Sequence, residues 1–272
     1  KFFIAAVGVV VGVIFIRGEA FTALGWRFRE AGFVLYTFII TILSLRDEDF
    51  SGVEWLTLPI LPLFFSIGAS LVYPLLPSEI QYLLFWRMDT DSGLFLSTVL
   101  RTIYLAGIFI GFYACLLSAN IFNVAGVKTI QLIRAAHSVG FLLTLVSAFL
   151  LYTVIYSLHL NSFGNFLVVF IISFPLILQA VWSINLEPYL GREVIRYTFV
   201  ISLILAQLSW VLSYWPVPGL VNAMVVTAAS YEGIGVVQYQ LLGKLKPTVI
   251  KELFSITVIF ILVILFSASW LG

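Results

Sequence analysis

The sequence predicts an all-α, polytopic transmembrane helical bundle of about nine spans (eight to nine), with no soluble domain. Of the 272 residues, 62% are hydrophobic and only 10% are charged, whereas soluble domains have about 45–50% and about 25%. The apolar runs are continuous, as in LTLVSAFLLYTVIYSL, and lack the alternation of membrane β-strands. Because a bilayer offers the backbone no hydrogen bonds, helices are expected. We interpret residues 1–272 as a single integral membrane domain.

Each span is placed where about 20 mostly apolar residues follow one another. The predicted spans are 1–16, 29–45, 55–77, 94–121, 132–158, 166–184, 194–214, 219–242 and 253–271. Connections such as HLNSFGN and WPVPG are too short to hold a soluble domain. The first span is interpreted as a membrane anchor because further spans follow it, whereas a mature domain follows a cleaved signal peptide.

Lysines and arginines predict the orientation, because the cytoplasmic loops of membrane proteins are rich in them. After residue 120, every lysine and arginine falls on one side of the predicted bundle: Lys128, Arg134, Arg192, Arg196, Lys244, Lys246 and Lys251. We therefore expect a cytoplasmic N-terminus. The first two spans fit the rule less well, since Arg17, Arg27 and Arg29 fall on the opposite side.

Composition argues against several partners and cofactors. A net charge of +1 leaves no basic patch that could bind a nucleic acid. The expected partners are membrane lipids. The single cysteine, Cys115, lies in an apolar run and excludes a thiolate metal cluster. His137 and His159 lie on one predicted span, about 33 Å apart along its axis, so they cannot hold one haem between them. We expect no cofactor and assign no catalytic or metal-binding residue.

The stretch TAASYEGIGVVQYQ places Glu232 near the middle of the eighth predicted span. An ionisable side chain at this depth is rare, and each one is a hypothesis of function. Helical spacing puts Tyr239 and three small residues on the same face, Ala228, Ala229 and Gly235, where another helix can approach closely. Two interpretations stay open. The carboxyl group either joins helices through a hydrogen bond, which is the simpler role, or binds or relays a cation or proton.

The WPVPG turn makes the seventh and eighth predicted spans antiparallel. Equal distances from the turn place Ser202 at the depth of Glu232, with Gln207 nearer the outer surface. An unpartnered buried carboxylate costs several kcal/mol. We therefore expect Glu232 to face into the bundle on the side of Tyr239, either neutral or satisfied by one of these groups, an ion or water.

Arg134 and His137 share one face of the fifth predicted span because they are three residues apart. Arg134 is expected to extend to the membrane surface as an anchor, and His137 to be a satisfied structural histidine. The candidate intramembrane polar site consists of Glu232, Tyr239, Ser202, Gln207, Arg134 and His137.

The run SANIFNVAGVKTIQLIRAAHSVGFLLTLVSAFLL resembles a family of uncharacterised bacterial multi-pass membrane proteins. The segments SLHLNSFGNFLVVFIISFPLILQAVWSI and LSYWPVPG share the likeness, which covers residues 55–270. The resemblance implies a location in the bacterial inner (plasma) membrane. It implies no activity, because none is assigned to that family.

Three classes of function stay open. A small transporter or channel comes first, because the eighth span is polar and prolines in the third and sixth spans permit broken helices. A non-catalytic membrane subunit or scaffold is close behind, with other membrane subunits or a second copy as its partners. A lipid-modifying enzyme comes last, since acidic pairs and histidine clusters at the interface are missing.

The first prediction tests the orientation. Single cysteines introduced by Asn161→Cys and Lys246→Cys, in a Cys115→Ala background, should react with a membrane-impermeant thiol reagent from opposite sides of the membrane. The reason is that an odd number of predicted spans separates the two positions. Reaction of both cysteines from the same side would contradict the predicted topology.

Overall fold

The computed structural model describes most of the chain. The described residues are 1–17, 26–45, 53–77, 82–83, 86–87, 90–127, 132–243, 245–248, 251–252, 255, 257–259, 262 and 266. Within them the protein is almost entirely helical. The helices are α1 Phe2–Arg17, α2 Trp26–Leu45, α3 Glu54–Thr57, α4 Ile60–Val72, α5 Thr90–Val127, α6 Ile133–Ser157, α7 Ser162–Asn185, α8 Arg192–Leu212 and α9 Gly219–Leu241.

Short elements complete this pattern. A 3₁₀ turn, Tyr73–Leu75, extends α4. Two-residue strands, β1 Tyr82–Leu83 and β2 Trp86–Arg87, pair antiparallel before α5. The all-α expectation therefore holds for the described residues apart from this minimal hairpin.

The prediction of nine spans is wrong: in the described part of the chain, six helical segments are long and apolar enough to cross a membrane. They are Glu54–Leu75, Asp91–Ala125, Ile133–Ser157, Ser162–Asn185, Arg192–Leu212 and Gly219–Leu241, which correspond to the third to eighth predicted spans. Of the first two predicted spans, α1 is a shorter apolar helix in the described residues, and α2 carries the charges of Arg29 and Glu30 near its start. Most of predicted span 253–271 lies outside the described residues.

Helix α6 is the centre of the arrangement, because it packs against α4, α5, α7 and α9. The most extensively packed pair is α7 and α8, while α1 packs on α5 and on α2. The α5 helix has 38 residues, roughly 57 Å at 1.5 Å per residue, and so exceeds a hydrocarbon core of about 30 Å.

Hydrogen bonds between side chains join the helices of the second half. Tyr152 Oη lies 2.7 Å from Ser173 Oγ, which joins α6 to α7. Tyr156 Oη donates to Ser209 Oγ at 2.8 Å and joins α6 to α8. Near the same end, Asn165 Nδ2 donates to a serine hydroxyl of the α8 C-cap, Ser213, at 2.9 Å. Such bonds hold helices together where hydrophobic burial gives no driving force.

The second prediction tests the packing of α4 on α5. A Cβ at Gly111 would overlap the ring of buried Phe65, whereas a Cβ at Gly107, one turn earlier, would meet nothing within 4 Å. Gly111→Ala should lower the free energy of unfolding by about 1–3 kcal/mol through overpacking. Gly107→Ala, the matched control, should leave it unchanged or raise it by up to about 1 kcal/mol. Unfolding in mixed detergent micelles measures both, and equal effects would contradict the packing.

Candidate functional site

Helix α9 differs from its neighbours because polar residues occur around its whole circumference. It begins at Gly219, after Pro218, and packs against α6, α7 and α8. Asn222 and Ser230 are buried on it, while Glu232 is half-buried and Gln240 is exposed. Opposite sides of one helix therefore present polar groups to two different environments, the bundle interior and a surface groove.

Glu232 lies in a groove of about 530 Å³ between α8 and α9. Its Oε2 accepts a hydrogen bond from Thr257 Oγ1 at 2.7 Å. Thr257 belongs to the predicted ninth span and not to α8. We expected Glu232 to face into the bundle, either neutral or satisfied by Ser202, Gln207, an ion or water. This expectation is corrected: Glu232 faces the groove beside α8, and its hydrogen-bond partner in the described residues is a threonine 25 positions later in the chain.

The other predicted site residues lie apart from this groove. Ser202 is fully buried on α8. Gln207 is exposed and lines a different surface depression near Trp210 and Tyr214. Tyr239 is 38% exposed. None of these three residues is among the described lining of the groove, and their sharing a site with Glu232 stays a prediction.

Arg134 and His137 differ in burial although they share one face of α6. Arg134 is exposed, as an anchoring arginine should be, whereas His137 is half-buried and its ring packs 5.4 Å from the ring of Phe122. The buried Nε2 atom of His137 has no hydrogen-bond partner among the described residues. The ring also interacts with the backbone of Ser183, so the expectation of a satisfied structural histidine stays a prediction.

A small pocket between α6, α7 and α9 receives His137. Its polar lining comes from Thr144, Ser183 and Gln238, and its volume of about 20 Å³ is enough for a single water molecule. A water bound there would satisfy the unpartnered Nε2 atom. Sequence reasoning missed this pocket, because its lining residues come from three different helices.

Sequence reasoning also missed a hydroxyl cluster at the centre of the bundle. Tyr152 is fully buried, and its Oη lies 2.7 Å from Ser173 Oγ and 3.4 Å from Ser230 Oγ. Three helices, α6, α7 and α9, meet at this tyrosine. The available signal was the spacing of Tyr152 and Tyr156, four residues apart on one face of α6.

Six buried polar atoms of α6–α9 find no hydrogen-bond partner among the described residues. They are His137 Nε2, Asn165 Oδ1, Gln179 Oε1, Thr198 Oγ1, Ser202 Oγ and Asn222 Oδ1. Native structures leave few such atoms, and each one calls for a water, an ion or a ligand. In a bilayer no lipid tail satisfies them. We call these six atoms the unpaired polar set.

The described residues offer few groups for a metal. No cluster of three or more histidine, cysteine, aspartate or glutamate side chains forms among them. The buried Cys115 is a free thiol. The polar groups described above around α6 to α9 are hydroxyls, amides, the His137 imidazole and the Glu232 carboxyl group.

Within the described residues, the fold is a helical bundle with six helices long and apolar enough to cross a membrane, and with buried polar groups around α9. The chain belongs to the family described as Protein of unknown function (DUF5656), whose model matches residues 43–267. No curated protein and no solved structure matches the chain. The resemblance to an uncharacterised family is confirmed, while the bacterial inner membrane stays a prediction.

The third prediction compares a paired hydroxyl with an unpaired one. Tyr152→Phe removes a bond that joins α6 to α7 and should lower the free energy of unfolding by about 1 kcal/mol or more. Ser202→Ala removes a buried hydroxyl that has no protein partner, and it should leave the stability unchanged or raise it by up to about 1 kcal/mol. Unfolding of the purified variants in mixed micelles measures both. A large loss for Ser202→Ala would show that the protein itself satisfies this hydroxyl.

Proposed function

We propose that this protein is an integral membrane transport protein, in which α6–α9 carry a proton or small cation and Glu232 is the binding carboxyl group. The observation that carries the proposal is the unpaired polar set. Each such atom costs about 1–3 kcal/mol when it stays unsatisfied. Groups that only join helices avoid this cost by bonding one another, as Tyr156 and Ser209 do. Water or a permeating solute in the interior would satisfy the unpaired groups.

Glu232 suits the role of a binding carboxyl group because only one of its oxygens is occupied. Oε2 accepts the Thr257 hydrogen bond, and no other described residue bonds to Oε1. A protonated carboxyl group and a carboxylate with a bound cation are both neutral overall, so exchange between the two forms avoids a bare buried charge. The same α9 helix then offers the carboxyl group on one side and the polar interior on the other.

A non-catalytic membrane subunit is the second candidate function. The hydrogen bond between Thr257 and Glu232 favours it, because one satisfied partner is all that a helix-joining carboxyl group needs. Under both candidates we expect a cytoplasmic N-terminus and a bacterial inner-membrane location. The Glu232→Gln variant, which removes the charge, distinguishes the transport function from the subunit function.

The fourth prediction tests transport directly. Proteoliposomes that contain a pH-sensitive dye should change internal pH faster than protein-free vesicles when a potassium diffusion potential is imposed. Glu232→Gln keeps the shape of the side chain but removes the proton-exchanging group, and it should return the rate to that of protein-free vesicles. Glu193→Gln, at an exposed position in the first turn of α8, is the matched control and should keep the wild-type rate.

Either of two results would overturn this proposal. One is a wild-type rate equal to that of empty vesicles under pH and sodium gradients alike. The other is an unchanged rate in a folded Glu232→Gln variant, which would support the subunit function. Size-exclusion chromatography of each variant before reconstitution confirms that the compared proteins are folded.

A further inference from the structure

We propose that the groove between α8 and α9 binds a small hydrophobic organic cation, with the positive charge of the ligand against Glu232. This inference names a substrate class for the proposed transport function. It rests on that function only for the movement of the ligand across the membrane. Binding to the groove stands on the geometry and charge of the groove itself.

The shape of the groove suits a compact apolar body. Its volume of about 530 Å³ lies within the range of about 300–1,000 Å³ that is typical of sites for small molecules. Buried Ile201 and Val237 form the floor, and exposed Val200, Ile204 and Val236 form a rim at the outer surface of the bundle. A ligand dissolved in the lipid therefore reaches the groove from the side.

The floor is rigid because α8 and α9 approach closely beneath it. A Cβ on Gly233 would come within 2.8 Å of Ile201 Cγ2, so a larger residue has no space there. The glycine lets α8 and α9 touch. The small side chain of Ala229, one turn earlier on α9, leaves space for the groove. The cavity is thus a consequence of small residues placed beside the carboxyl group.

The charge of the groove selects a cation. Glu232 is the sole charged residue in the described lining. In apolar surroundings a carboxylate is screened far less than in water, so it attracts a cation and repels an anion strongly. Its Oε1 atom accepts no hydrogen bond from a described residue, and Thr257 holds the other oxygen in place. A positively charged ligand complements this arrangement.

The depth of Glu232 favours a compact cation over a phospholipid. Gln240 and Tyr197 lie at one end of the groove, where α9 ends and α8 begins. Glu232 is eight residues from Gln240, roughly 12 Å along the helix. A phospholipid headgroup stays at the interface and carries a phosphate that the carboxylate repels. Arg196, whose guanidinium lies 5.4 Å from the Tyr197 ring, also disfavours a cation at that end. The ligand therefore enters across the rim.

The experiment measures binding of tetraphenylphosphonium to the full chain in nanodiscs of zwitterionic lipid, by equilibrium dialysis against empty nanodiscs. Tetraphenylborate has the same shape and the opposite charge. Wild-type protein should bind the cation saturably and at least about tenfold more tightly than the anion, because the carboxylate distinguishes their charges. Equal binding of the two ions, or no saturable binding of the cation, would overturn the proposal.

Two variants test the site, each with a matched control. Glu232→Gln should weaken binding of the cation at least about tenfold, while Glu193→Gln should not change it. Val236→Trp keeps the carboxyl group and fills the groove, so it should also abolish binding. Ile171→Trp, at an apolar position of α7 that is 65% exposed, should bind as the wild type does. Retained binding in either groove variant would contradict the proposed site.

Failure here is separable from failure of the transport function. Proton flux without binding of tetraphenylphosphonium would overturn the ligand class and leave the transport proposal standing. Binding without any flux would support the groove as a ligand site and overturn transport. Binding that appears only after Thr257→Val would mean that the chain's own final segment fills the groove, which also contradicts the proposal.

Discussion

Hydrogen bonding among helices that are long and apolar enough to cross a membrane is the constraint on which this structure depends. A bilayer core satisfies no donor or acceptor, so every buried polar group must find its partner inside the protein or leave an energetic penalty. The backbone meets this demand by forming helices. Tyr104 meets it by donating to the carbonyl oxygen of Ala69 on a neighbouring helix, at 2.9 Å. Most threonines and serines meet it locally, as Thr144 does with the carbonyl oxygen of Gly140.

The same constraint makes buried polar groups that lack a hydrogen-bond partner informative. Thr198 and Ser202 are four residues apart on α8, fully buried, and their hydroxyls have no partner among the described residues. A serine or threonine in a helix ordinarily bonds the carbonyl oxygen one turn earlier. Buried hydroxyls without a protein partner, such as these two on one face of α8, call for a water, an ion or a ligand.

Hydropathy predicted those parts of the fold that depend on composition alone. The third to eighth spans agree with helices because long apolar runs need no tertiary information, and α9 begins at the predicted residue, Gly219. The count failed at α1 and α2, where a short apolar run and charges at a helix start, Arg29 and Glu30, reduce the apolar length. The position of Glu232 near the middle of its helix was predictable from its position in the apolar run. The hydrogen-bond partner of Glu232 was not predictable. Equal spacing from a turn places two residues at the same level along their helices but leaves the rotation of each helix about its axis undetermined.

The rotation of α9 about its own axis determines which surroundings each of its polar side chains faces. Residues 230 and 232 are separated by about 200° around a helix, so Ser230 and Glu232 necessarily face different surroundings. Ser230 reaches the Tyr152 cluster in the interior, and Glu232 therefore faces the groove beside α8. The bundle interior and the groove that holds Glu232 thus lie on two sides of one helix. A rotation of α9 about its axis that exchanged these two sides would carry the carboxyl group from the groove into the bundle. Gly233 packs against Ile201, so α8 would resist this rotation sterically at that point.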